Sequence, residues 1–147
     1  MAIKYKSGRA VARTGAVSLC AFVMISVSAA SARARTEYRG ANVHSLQMWS
    51  VSTGQMYQEL DALRNAGANA LRIDVGWATL EPAKGQINPD YLARMDAFFA
   101  GAHARGLKVI ATVACTPAWA SVGGPWNDAP TNPADYGAIG GYITSRY

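Results

Sequence analysis

The chain is 147 residues long, half of them apolar and 16% charged, with a formal net charge of +5. Five of its fourteen basic residues (Lys4, Lys6, Arg9, Arg13, Arg33) and none of its nine acidic ones precede Arg35, so the rest carries nine charges of each sign. The basic excess belongs to the first segment, and the remainder lacks the net positive charge that would draw nucleic acid or an anionic membrane.

That first segment reads as a targeting signal rather than as fold. A basic head is followed by the apolar or small run Ala16 to Ala32, with Leu19, Phe22, Val23, Met24, Ile25 and Val27. The small-residue patterns Ala30-Ser31-Ala32 and Ala32-Arg33-Ala34 come next. This order predicts a secretory signal peptide over residues 1–34, cleaved after Ala32 or Ala34. The alternative, a retained anchor, is opposed by the shortness of the run and its serines. The absence of a twin arginine favours the general export route, to a secreted or periplasmic location with no stable membrane insertion after cleavage. Cys20 leaves with the leader and Cys115 remains alone, which excludes an intrachain disulfide and a cysteine-based metal site in residues 35–147. In its apolar setting Cys115 reads as a packed thiol rather than a nucleophile.

Residues 35–147 suffice for one modest core. Tyr38 to His44 predicts a first strand. A helix follows, capped by Ser52 or Thr53, with Met56, Leu60 and Leu63 on one face and Gly67 closing it. Leu71, Ile73 and Val75 alternate with Arg72 and Asp74, the period-two pattern of a second strand. A loop carrying Trp77, Glu81, Pro82 and Gly85 comes next, and its Pro and Gly read as turn chemistry that gives Glu81 a loop-fixing role. Asn88 caps a second helix with Pro89 at its first position and a stripe of Leu92, Met95, Phe99 and Ala102. Gly106 ends it. Leu107 to Val113 runs apolar almost throughout, as in a parallel strand covered on both faces. After a long loop with Trp119 and Trp126, Asn132-Pro133 opens a third helix bearing Tyr136, Ile139 and Ile143.

Strand and helix thus alternate three times, which predicts an α/β fold with right-handed crossovers. The strand-to-helix loops are longer and richer in aromatics than the returns, as in a barrel whose site lies at the strand C-terminal ends. A doubly wound sheet shares that rule. No glycine-rich phosphate loop follows the first strand, because Gly40-Ala41-Asn42-Val43-His44 lacks the spacing; this counts against a nucleotide cofactor.

The chemistry-bearing residues gather at the predicted strand ends: His44, Trp49, Arg72, Asp74, Trp77, Glu81, Thr116, Trp119 and Trp126. Two charges on an interior strand cost desolvation and need partners, either in a site or in a structural ion pair with each other. A tryptophan face beside carboxylates suits a sugar ring, although any single tryptophan is more often packing. Four of them near one end of the fold point to a ligand cleft.

The stretches Leu-Arg-Ile-Asp-Val-Gly-Trp-Ala-Thr-Leu-Glu-Pro-Ala-Lys-Gly-Gln-Ile-Asn (Leu71 to Asn88) and Gly-Leu-Lys-Val-Ile-Ala-Thr-Val-Ala-Cys-Thr-Pro-Ala-Trp-Ala (Gly106 to Ala120) carry a resemblance. With Arg-x-x-x-x-Trp, Trp…Glu-Pro-x-x-Gly and Thr-Pro-x-Trp, the chain from about Gly40 to Tyr147 resembles the opening third of a retaining (β/α)8-barrel glycoside hydrolase. The clan includes cellulase-like, xylosidase-like and β-galactosidase-like families. The resemblance implies a TIM (β/α)8 barrel, of which about the first three βα units are present, and a carbohydrate substrate with no cofactor and no metal. It places Arg72 where it orients an ionised nucleophile, Trp77 and Trp119 along the substrate cleft, and His44 within reach of the sugar; Trp126 is a further candidate in the long loop.

In that clan two glutamates do the chemistry, after the fourth and seventh strands, the first usually in an Asn-Glu pair. This sequence contains no Asn-Glu pair. A barrel needs roughly 250 residues, so the resemblance implies an N-terminal portion, inactive alone, with both glutamates expected beyond Tyr147. Two other readings stay open: a non-catalytic carbohydrate- or partner-binding remnant, and an unrelated barrel enzyme acting on another small molecule. The oligomeric state is not legible.

Overall fold

The computed structural model describes residues 37–123 and 127–147. The predicted leader, with its cleavage positions, and Trp126 lie outside the described residues. Three strands, β1 (Gly40–Val43), β2 (Ala70–Gly76) and β3 (Lys108–Ala114), form a parallel sheet in the order β1-β2-β3. The register sets Val43 beside Ile73 and Ile73 beside Ala111. Neighbours in sequence are neighbours in the sheet, the order in which a (β/α)8 barrel is built and one that the first three strands of a doubly wound sheet share.

Local signals set the helices. In α1 (Thr53–Asn65), the Ser52 side chain accepts from the Gln55 N–H while the Gln55 side chain accepts from the Ser52 N–H, a reciprocal capping box. Asn88 and Asn132 cap α3 (Pro89–Ala104) and α4 (Pro133–Arg146) in the same sense, each with proline at the start. Gly67 and Gly106 follow α1 and α3 at φ 84° and 66°, a left-handed turn that a side chain would disfavour.

The alternating face of β2 makes the core. Leu71, Ile73 and Val75 are buried against Met56 and Leu60 of α1 and Met95 and Phe98 of α3. Helices α1 and α3 lie side by side, joined where Arg105 of the α3 end grips Asp61 of α1 through Nε and Nη2 at 2.7 and 2.9 Å. Helix α4 is tied to α3 by Arg146 on Asp96 at 2.8 and 2.6 Å and by Tyr147 stacked on Phe99. The Arg146 guanidinium holds the Asp96 carboxyl below the usual carboxylate range.

Three expectations need correction. The segment after β2 opens as a short helix, α2 (Trp77–Leu80), rather than a loop. The Glu81 carboxylate closes it, accepting from Trp77 Nε1 at 2.8 Å and from the Gly85 N–H at 2.7 Å. The buried stripe of α3 is Tyr91, Met95, Phe98 and Ala102; Leu92 and Phe99 are only half-buried. The helix is turned so that the Tyr91 hydroxyl accepts the Gly76 N–H at 3.0 Å, and Gly101 faces the Tyr57 ring where no side chain would fit. Finally, β3 is not covered on both faces: Ile110 and, on the opposite side of the strand, Ala111 are both exposed among the described residues.

Candidate functional site

The uncovered face of the sheet carries the polar residues of β1 and β2. Asn42 pairs with Arg72 and Arg72 with Ile110 in register, while Asp74 lies beside Thr112. Arg72 Nη2 donates to Asp74 Oδ1 at 2.6 Å. His44, the residue after β1, points Nδ1 to within 3.8 Å of Asp74 Oδ2. Gln47 Nε2 donates to the Asp74 carbonyl oxygen at 3.1 Å, so the loop after β1 is fastened to β2. Side-chain exposure rises from 21% for Asp74 to 38% for Arg72 and 62% for His44. The carboxylate is thus the recessed anchor and the two nitrogen bases are the accessible groups. One Arg72 N–H is committed to Asp74, and a guanidinium has five donors, so the pair remains able to hold a second acceptor.

At the strand ends the surroundings are firm. Burial raises the Tyr91 hydroxyl above its ordinary range, so it stays protonated at neutral pH. Cys115, just past β3, sits at φ 63°. That backbone costs about 1 kcal/mol or more for a non-glycine residue. It is held there in part by the Ala78 N–H, which donates to the Cys115 carbonyl at 2.8 Å. Burial, and after it the negative charge of Asp74, push the Cys115 thiol up, which opposes a thiolate nucleophile. Thr116 Oγ1 donates to the Asp128 carbonyl at 2.6 Å and gathers in the long loop.

The four sequence-predicted positions among the described residues do not form one cluster. Arg72 and His44 come together around Asp74. Trp77 does not join them in lining an open face: it is 1% exposed, part of the core, and meets Trp119 and Tyr136 edge-on with ring centroids 5.4 and 5.9 Å apart. Burial recovers the apolar area of the indole while Glu81 satisfies its N–H. Trp119 is half-buried in that second group; its Nε1 donates to the Glu81 carbonyl at 2.9 Å and Lys84 lies over its ring. Trp126 is outside the described residues.

Sequence reasoning passed over Gln47, Tyr91 and Arg94. Arg94 donates to the carbonyls of Ser45, Leu46 and Met48 at 2.5 to 2.9 Å and so holds the loop after β1 from below. Its partners are 46 to 49 residues away, so no local pattern marks it. Among the described residues no group of three or more His, Cys, Asp or Glu side chains is arranged to hold a metal ion. No described helix is long and apolar enough to cross a membrane.

Comparison with known proteins bears on this geometry. The family model for cellulase, glycosyl hydrolase family 5, matches residues 29–147. Curated protein sequences give no match. Among solved structures, a family 39 glycoside hydrolase from the gut symbiont Bacteroides cellulosilyticus WH2 shares 22% identity at a TM-score of 0.50, over 72% of this chain and 22% of its own. An exo-β-1,4-mannosidase from Opitutaceae bacterium strain TAV5 shares 20% identity at 0.48, over 65% of this chain and 18% of its own. A Streptomyces cattleya enzyme of subfamily GH5_18, solved with Manβ1-4GlcNAc, shares 19% at 0.48, over 56% and 24%. The chain therefore spans about a fifth of the length of these structures.

Proposed function

The chain belongs to the cellulase family, glycosyl hydrolase family 5, and from that premise we propose that it builds one wall of an exported glycosidase barrel that hydrolyses O-glycosidic bonds of a poly- or oligosaccharide with retention. One observation carries the reading. Arg72 and His44 meet Asp74 toward the C-terminal ends of β1 and β2, the end of the strands at which a barrel places its reacting groups. A retaining reaction needs a carboxylate nucleophile and a carboxylic acid about 5 Å apart. Arg72, oriented by Asp74, is suited to keep a neighbouring carboxylate ionised, since an opposite charge within hydrogen-bonding reach favours the charged form. His44 supplies an accessible ring nitrogen for a sugar hydroxyl. In this reading Trp77 and Trp119 shape the loops from the core side and do not touch the sugar.

The closed Arg72–Asp74 pair also favours a second reading, a carbohydrate-binding barrel wall in which that pair is purely structural. The two part on one experiment: incubating the longest product of the reading frame with aryl glycosides of glucose, mannose, galactose and xylose. Release of nitrophenol from any of them supports the glycosidase. Binding of the parent oligosaccharides without release favours the second reading. Export rests on the order of charge, apolar run and small residues in the first segment. Residues 1–34 joined to a leaderless alkaline phosphatase should give active phosphatase outside the cytoplasm, and activity confined to unprocessed, cytoplasmic material would remove that part of the proposal.

A further inference from the structure

We propose that Arg94 of α3 is a positioning residue of the site, acting through the loop after β1 to hold His44 and Gln47 against Asp74. The inference rests on the glycosidase reading and adds to it a residue that works only through others. Three carbonyls of one short turn converge on its guanidinium. Nε donates to Leu46 at 2.8 Å, and Nη2 donates to Ser45 and Met48 at 2.5 and 2.9 Å. Backbone bonds from Gln47 to His44, Met48 to Ser45 and Val51 to Met48 close the turn on itself. Ser45 and Leu46 are buried, so their carbonyls need donors from the protein. A guanidinium serves several acceptors at once from one planar group. Trp49, 57% exposed, lies against it with its ring centre 5.7 Å away.

The same helix holds the other side of the site. Tyr91 precedes Arg94 by three residues, which puts the two side chains on one face of α3. Its hydroxyl accepts the Gly76 N–H at 3.0 Å. One helix therefore fixes the end of β2 with one side chain and the loop after β1 with another. The two fixed pieces meet at Asp74. Gln47 Nε2 donates to its carbonyl oxygen at 3.1 Å, and His44 Nδ1 stands 3.8 Å from the carboxylate that holds Arg72. Strand pairing does not supply this placement, because β1 and β2 pair only as far as Val43 and Ile73. His44 takes its position from the turn that follows it, and the turn takes its position from Arg94. A shift of about 1 Å at a reacting group costs roughly 100-fold in rate, so a support this far from the reacting atoms still governs turnover.

The test takes the longest product of the reading frame, unaltered and as Arg94→Ala and Arg94→Lys, and makes two measurements on each preparation. Hydrogen exchange read by mass spectrometry follows residues 44–51 beside the core of β2 and α3. Turnover is measured on the nitrophenyl glycoside that the unaltered protein hydrolyses best. Arg94→Ala should speed exchange in 44–51 about tenfold or more while the core exchanges as before, the mark of a local opening. It should lower kcat roughly 100-fold with KM little changed. Guanidinium ion at a non-denaturing concentration should recover part of that loss, and sodium at equal ionic strength should not. Arg94→Lys should fall between, since an ammonium cannot span three carbonyls; where Arg94→Ala does not fold, it carries both measurements. Unchanged exchange in 44–51 overturns the proposal, as does normal kcat in a variant whose loop exchanges fast. Equal acceleration across the core makes Arg94 a general support of the fold and overturns it too. If the unaltered protein releases no nitrophenol, the glycosidase reading fails separately; acceleration confined to 44–51 then still supports the hold on the loop, and its absence removes it.

Discussion

Trp77→Ala lowers the stability of the folded chain by about 3–5 kcal/mol, the range for deleting a large buried aromatic side chain. The ring is sealed in the core, with Trp119 and Tyr136 edge-on to it and Leu80 buried beside it on α2. Alanine would leave a cavity between α2, the loop after β3 and α4. It would also strip one of the two donors from the Glu81 carboxylate, which closes the turn toward Gly85. Trp77→Phe should cost less, because it keeps ring packing and forfeits only area and the N–H. Urea denaturation of the three proteins measures this. A loss under about 1 kcal/mol for alanine would mean that the indole faces an open cleft, as the sequence alone had suggested.

Arg72→Ala should act on turnover and leave the fold nearly intact. Both partners of the Arg72–Asp74 pair are partly exposed, so breaking it should cost no more than about 1 kcal/mol in stability. Misplacing a reacting group by about 1 Å costs roughly 100-fold in rate, and Arg72 is read as the group that orients the nucleophile. The same size of loss is expected for nitrophenyl glycoside hydrolysis by the longest product of the reading frame. Arg72→Lys should restore little, because an ammonium cannot bond Asp74 and a second carboxylate in the fork geometry of a guanidinium. Denaturation and turnover per folded molecule must be measured on the same preparation. A large stability loss with unchanged turnover would make the pair structural and favour the sugar-binding reading.

The contrast between these two residues shows how far the chain could be read without coordinates. Arg72 was legible because it breaks an apolar alternation on a strand, and a charge inside that pattern has to have a partner. That its first partner is Asp74, two residues along the same strand, follows from period-two geometry, which points both side chains to one face. Trp77 was misread. Its position after a strand end fits a cleft wall and a core residue equally, and local pattern does not choose between them.

The sequence by itself determined the alternation of the three strands with α1, α3 and α4, the caps at Asn88 and Asn132, the stops at Gly67 and Gly106, and the glycosidase clan that the wall resembles. These depend on contacts within a few residues, or on motifs written consecutively along the chain. Only the tertiary structure decided which face of α3 is buried, that Trp77 turns inward while Trp49 stays out, and that Arg94 holds the loop beyond His44. Each of those outcomes depends on partners 15 to 49 residues away or on which layers cover which face. Burial of a side chain is a property of what packs against it, and that is set by three-dimensional neighbours rather than by spacing along the chain.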